Sequence, residues 1–80
     1  MSTLAVKIEP LATQVHCTES ALHVVLADGR EVSAPLLWFP RLQKATPAQR
    51  EKWRLIGPGI GIHWAEIDED IAVETLLALD

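Results

Sequence analysis

Gly57-Pro58-Gly59-Ile60-Gly61-Ile62-His63-Trp64-Ala65-Glu66-Ile67-Asp68-Glu69-Asp70-Ile71 is the stretch on which the reading of this 80-residue chain turns. It holds three glycines, four isoleucines, one tryptophan and four acids. Gly59 to Trp64 alternates with period two, which predicts a short strand. Ile67 and Ile71 stand four apart with acids between them, and Ile71, Val73, Leu76, Leu77 and Leu79 predict a closing helix over 71–79. Asp68, Glu69 and Asp70 would then fall near its start, where the helix dipole favours negative charge. A phosphate loop would follow a strand, open a helix and carry a Lys-Ser/Thr pair. The glycines here are expected to end a helix and lead tightly into a strand instead.

Upstream, Thr46-Pro47-Ala48-Gln49 has the form of a helix start. Thr46 is the expected N-cap, Pro47 the first helical residue, and Gln49 can reach back to the Thr46 amide. This helix is expected to run to about Ile56, with Trp53 and Ile56 on its packed stripe. Leu36-Leu37-Trp38-Phe39 lies between Pro35 and Pro40. It reads as a short helical turn or loop capping a sheet, with Trp38 and Phe39 in the core, because Pro40 disfavours helix at Phe39.

The first half reads as strands. Val15 and Cys17 alternate with polar neighbours, Glu19-Ser20 offers a turn, and Ala21 to Leu26 is a stronger strand. Ala27-Asp28-Gly29-Arg30 is a hairpin loop with two candidate registers. A two-residue Asp28-Gly29 loop would pair Val25 with Val32. A three-residue loop with Gly29 left-handed pairs Val24 with Val32 and Leu22 with Ala34. The second gathers Leu22, Val24, Leu26, Val32 and Ala34 on one face, buries the larger side chains, and is preferred. The expected fold is therefore α+β: an antiparallel β-meander of about three strands plus a short fourth, packed against two short helices, in a single domain over 1–80.

Composition bounds the function. Apolar residues make up 49% and charged residues 22%, an ordinary globular balance. A chain this short buries only about 60% of its unfolded surface, so association with a partner would help it. The single Cys17 cannot form an internal disulfide, and a reducing, cytoplasmic setting is expected. No signal segment or membrane-length apolar run is present, so no membrane role is expected.

The net charge of −4 is segregated. Arg41, Lys44, Arg50, Lys52 and Arg54 face one acid, Glu51, within 41–54, a net of +4. Residues 55–80 carry six acids, including Glu66 and Glu74, and no Lys or Arg. The simpler expectation is mutual neutralisation in the fold. The sharper one is a basic patch for an acidic partner or nucleic acid, flanked by Trp38, Phe39 and Trp53. Against that stands the acidic whole, of pI about 5.2.

No convergent catalytic set is visible. His63 and Glu66 are three apart, but a metal usually needs three or four ligands. His63 is expected to be structural, and no metal or other cofactor is expected. A carboxylate pair drawn from the acidic run would need a cleft and a perturbed pKa. Cys17 and His16, as strand neighbours, point to opposite faces and form no dyad.

The order ADGR, PLLWFPRL and ATPAQREKWRLIGPGIGIHWAEIDEDIAVETLL resembles the small bacterial domain-of-unknown-function family 2442. That family shows a DGR hairpin, a W-[YF]-P-R-L block, an A-T-x-x-[EQ]-R…W helix, a G-x-G-I-H-W-x-x-[IL]-D-E-D-[IL] segment and a leucine-rich helix. Here these correspond to Asp28-Gly29-Arg30, Trp38 to Leu42, Ala45 to Trp53, and Gly59 to Ile71, over about residues 12–79. Gly29, Trp38, Pro40, Trp53, Gly59, Gly61, His63 and Trp64 are the signature positions. The resemblance implies a compact α+β domain with an antiparallel sheet and no assigned catalytic residue. It further implies a setting similar to toxin–antitoxin pairs, since members are often encoded beside another small protein; separately, some members are fused to a DNA-binding helical domain.

The leading expectation is a non-catalytic protein-interaction domain, the antitoxin-like or regulatory member of a two-protein system. Asp68, Glu69, Asp70 and Glu74 would complement a basic partner, and self-association is the second form of partnership. The rivals are a DNA- or RNA-binding or transcription-regulating accessory domain acting through Arg41, Lys44, Arg50, Lys52 and Arg54, and a small metal-dependent hydrolase using His63 and Glu66.

Overall fold

In the computed structural model, residues 8–78 are described. They form six strands and three short α-helices: β1 (Ala12–Cys17), β2 (Ala21–Leu26), β3 (Glu31–Pro35), α1 (Pro40–Lys44), α2 (Pro47–Arg50), β4 (Trp53–Ile56), β5 (Gly61–Trp64), β6 (Glu69–Ala72) and α3 (Val73–Ala78). Single 3-10 turns lie at Leu36–Trp38 and Ala65–Ile67. The strands make two antiparallel three-stranded meanders, β1-β2-β3 and β4-β5-β6. The α+β class holds. The single meander with a short fourth strand does not, and neither does the count of two helices.

The first meander follows the hydrophobic pattern. Leu22 stands opposite Ala34 and Val24 opposite Val32, the register of the three-residue loop. The Leu26 amide donates to the Arg30 carbonyl at 2.8 Å, closing a loop of Ala27, Asp28 and Gly29. Gly29 takes φ of 94°, which an L side chain rarely adopts. On β1 both Ala12 and Val15 are buried although three apart. A bulge between Ala12 and Gln14 inserts the extra residue that returns Val15 to the inner face. The Glu19-Ser20 turn is closed by Thr18, whose Oγ1 accepts from the Ala21 amide at 3.0 Å.

The second meander corrects the sequence reading. The Thr46 capping box forms in full: Thr46 Oγ1 accepts from the Gln49 amide at 3.1 Å, and Gln49 Oε1 accepts from the Thr46 amide at 3.0 Å. Yet the helix ends at Arg50 and does not reach Ile56. Trp53 to Ile56 is a strand paired with β5, Trp53 opposite Trp64 and Leu55 opposite Ile62. Extended backbone sends both Trp53 and Leu55 inward, whereas a helix would place residues two apart on different sides. Gly57 to Ile60 is consequently a hairpin loop rather than a helix end. The Ile56 carbonyl accepts from Gly59 at 3.0 Å and Ile60 at 3.1 Å.

The acidic run is likewise not at a helix start. Asp68 takes left-handed φ and ψ of 52° and 49°, closing the 3-10 turn, while Glu69 and Asp70 belong to β6. Ile71 pairs with Ile62 across the sheet, and this burial holds the segment extended. Only Glu74 lies in the first turn of α3. The expected helix thus begins at Val73, and its Leu79 falls outside the described residues.

Both sheets feed one core. Ala12, Val15, Leu22, Val24, Leu26 and Ala34 meet Ile62, Trp64, Ile71, Val73 and Leu76, with Leu36 and Leu42 joining from the segment between the sheets. The sheets are stitched where the Ala12 amide donates to the Gly59 carbonyl at 2.7 Å. Gly59 has φ of 111°, and a Cβ there would stand 2.3 Å from the Ala12 carbonyl oxygen. This position requires glycine for both backbone and space.

Candidate interaction surface

The core leaves one large aromatic outside. Trp64 is 1% exposed and Trp53 is half-buried, but Trp38 is 48% exposed and its neighbour Leu37 69%. The expectation that Trp38 is a core residue is therefore corrected. The cause is local. Pro35 and Pro40 bracket a single 3-10 turn, and side chains one or two apart on such a turn diverge. Leu36 goes inward and is fully buried, Phe39 packs partly against the core, and Leu37 and Trp38 are left on the surface. Pro40, read as a helix-breaker for Phe39, opens α1 as its first residue.

The basic segment around this turn is largely engaged. Arg41 donates to the Asp68 carbonyl at 2.6 Å, with the Asp68 carboxylate 3.7 Å away. Lys52 Nζ stands 2.8 Å from Glu66 Oε2. Arg50 Nε donates to the Leu42 carbonyl at 3.0 Å and its Nη2 to the Gln43 carbonyl at 2.6 Å. Arg50 thus binds the carbonyls at the end of α1, and its own carbonyl accepts from Trp64 Nε1 at 3.0 Å. It is a brace, not a surface cation. Among the described residues, Lys44 and Arg54 are the cations of this segment without such a partner. The basic and acidic segments neutralise each other through Arg41–Asp68 and Lys52–Glu66.

The acids are dispersed. Asp70 pairs with His63 Nδ1 directly across β5 and β6. Glu69 Oε1 accepts from the Asp70 amide at 3.2 Å. Glu74 borders a shallow apolar depression with Pro10, Leu11, Ile60 and Leu77. His63 and Glu66 therefore have different partners, and among the described residues no three His, Cys, Asp or Glu side chains converge as a metal site. The Asp28 carboxylate is shielded, its side chain 4% exposed, and it is held there by Arg30. Cys17 is half-buried, and burial pushes its thiol up, the nearby Arg50 charge pulling partly back.

One tight charge cluster escaped the sequence reading. Asp28 accepts from Arg30 Nε at 3.0 Å and from the Glu9 amide at 3.0 Å. The Arg30 guanidinium holds the Asp28 carboxyl down from 3.8 to about 2. The signal was present in Asp28-Gly29-Arg30, where a left-handed glycine folds residue i+2 back onto residue i. No helix among the described residues is long and apolar enough to cross a membrane.

No curated protein matches the chain. A solved structure, a protein of unknown function from Rhodospirillum rubrum ATCC 11170, is similar at 26% identity with a TM-score of 0.75, over 89% of this chain and 88% of that one. The model of a family described as "Protein of unknown function (DUF2442)" matches residues 12–80, from the first strand onward. With its DGR hairpin, its WFPRL segment and its GIHW strand in that order, the chain belongs to the DUF2442 family.

Proposed function

We propose that the protein is a non-catalytic interaction domain whose contact with a small protein partner centres on Leu37 and Trp38. The carrying observation is Trp38 itself: an aromatic at 48% exposure on a rigid, proline-bracketed turn beside a well-filled core. Aromatic anchors of this kind dominate binding energy at interfaces. Arg41 and Lys44 lie on the adjoining helix and supply a polar rim that suits an acidic or mixed partner surface. The shielded Asp28 carboxylate is tied to Arg30 and the Glu9 amide within the hairpin, a structural role that suits a non-catalytic reading. The lone thiol suits a reducing cytoplasm. An antitoxin-like or regulatory role in a two-protein system is the setting this reading fits.

Nucleic-acid binding is the weaker alternative. An exposed tryptophan near Lys44 could stack on a base, but three of the five basic side chains are already engaged. Copurification from the native host, with wild type and Trp38→Ala side by side, tests the proposal. A partner held by the wild type and lost from a variant of unchanged Tm is the expected result. An identical set of partners for both proteins would refute it. Steeply salt-dependent DNA or RNA binding would favour the alternative.

A further inference from the structure

The solvent face of the first meander carries a second candidate site. His16 on β1 stands directly opposite His23 on β2. The two imidazoles lie 6.1 Å apart between ring centres with planes 28° from parallel. They line a shallow depression with Gln14, Val25 and Glu31. We propose that His16 and His23 together bind a divalent late transition metal ion, the remaining coordination positions being filled by water.

Distance is the first argument. A metal–nitrogen bond of about 2.1 Å plus the ring radius puts an imidazole centre about 3.2 Å from its ion, so two rings on one ion stand about 5–6.4 Å apart. The observed 6.1 Å lies inside that range. Bringing the His16 nitrogen to the same point as His23 Nε2 needs rotation of the His16 ring about its Cβ–Cγ bond, a broad torsion with a low cost, while His23 stays where Ser33 holds it.

The second argument is the partner of His23. Its Nδ1 lies 2.7 Å from Ser33 Oγ, the residue opposite it on β3. In the tautomer where Nδ1 donates to that hydroxyl, Nε2 keeps the lone pair a metal needs. Such an outer hydrogen bond is the usual companion of a ligating imidazole. Glu31 is diagonal to His23 across the sheet, within the about 7–8 Å that a long side chain spans, and adds negative charge at the rim. Two imidazoles with water favour Cu2+ over Ni2+ and Zn2+, and all three over Mn2+.

The test is titration of the untagged protein with Cu2+, Ni2+, Zn2+ and Mn2+ salts by calorimetry and 1H–15N NMR. His16→Ala and His23→Ala should each weaken Cu2+ binding at least tenfold, Ser33→Ala less, and His63→Ala not at all. In the wild type, Cu2+ broadening should centre on residues 14–16, 23–25 and 31–33. Unchanged affinity in both histidine variants, broadening centred on His63 and Asp70, or an affinity order with Mn2+ equal to Cu2+ would overturn the proposal. The NMR map keeps the test decisive even if a variant fails to fold.

Discussion

The Trp64 indole donates its Nε1 hydrogen to the carbonyl oxygen of Arg50 at 3.0 Å, joining the centre of the core to the end of α2. Around that bond Arg50 also holds the last carbonyls of α1, so one residue links two helices and a strand. Trp64→Phe removes the donor, leaves a partly buried carbonyl unsatisfied and opens space in a site that is 1% exposed. The expected loss is about 2–4 kcal/mol. At about 4–8 °C per kcal/mol for a domain of this size, Tm should drop by about 10 °C or more. Thermal unfolding followed by circular dichroism reads this directly.

Arg50 should resist conservative replacement. The Leu42 and Gln43 carbonyls are both met by one planar guanidinium. A lysine ammonium is a single point donor and cannot reproduce the fork. Arg50→Lys should therefore cost nearly as much as Arg50→Met, about 1–2 kcal/mol in each case. Urea unfolding of the three proteins is the check. A lysine variant as stable as the wild type would show that charge alone, and not the forked geometry, matters there.

Asp28 sets an acid limit on the hairpin. Its folded pKa of about 2 lies below the ordinary 3.8, so the ionised form is the one that stabilises the fold. That contribution is present above the ordinary value and is lost as pH falls from about 4 toward 2. Asp28→Asn should therefore lower Tm at pH 6, and its deficit relative to wild type should shrink steadily below pH 4. A deficit constant down to pH 2 would assign the effect to hydrogen bonding without charge.

Two glycines separate backbone strain from collision. Gly29 and Gly59 both have positive φ, 94° and 111°. A Cβ at Gly29 meets nothing within 4 Å, whereas at Gly59 it meets the Ala12 carbonyl oxygen at 2.3 Å and the Ala12 nitrogen at 2.9 Å. Gly29→Ala should cost about 1–3 kcal/mol, the strain of the conformation alone. Gly59→Ala adds a clash with rigid backbone and should leave little folded protein. Soluble yield and Tm, compared between the two variants, give the answer.

How much of this was legible in the chain depends on sequence range. The Gly29 loop and its register were readable because only the three-residue loop sets Val32 and Ala34 opposite Val24 and Leu22 on the buried face. The Thr46 capping box was readable for the same reason: it is a contact between residues three apart. Trp53 to Ile56 misled because four residues are too few to distinguish a period of two from one of 3.6, and the good helix start just before them favoured the wrong choice. Only pairing with β5 decides it, and that partner lies beyond a loop. The exposure of Trp38 was hidden similarly, since an apolar block reads as core until its proline-bracketed turn is seen to send neighbouring side chains apart. His16 and His23 were each visible, but their opposition emerges only once the β1–β2 register is fixed.

The contact of Gly59 with Ala12 also bears on how the chain can be divided. The 57–60 loop is a surface connection of the kind usually chosen for opening a chain or inserting a tag. Here one of its residues is the seam between the two sheets. New termini placed at Gly59 would remove the backbone bond that ties the first meander to the second and leave the shared core to hold them. The Glu19-Ser20 turn, whose residues are exposed and far from that seam, is the better place to cut or label.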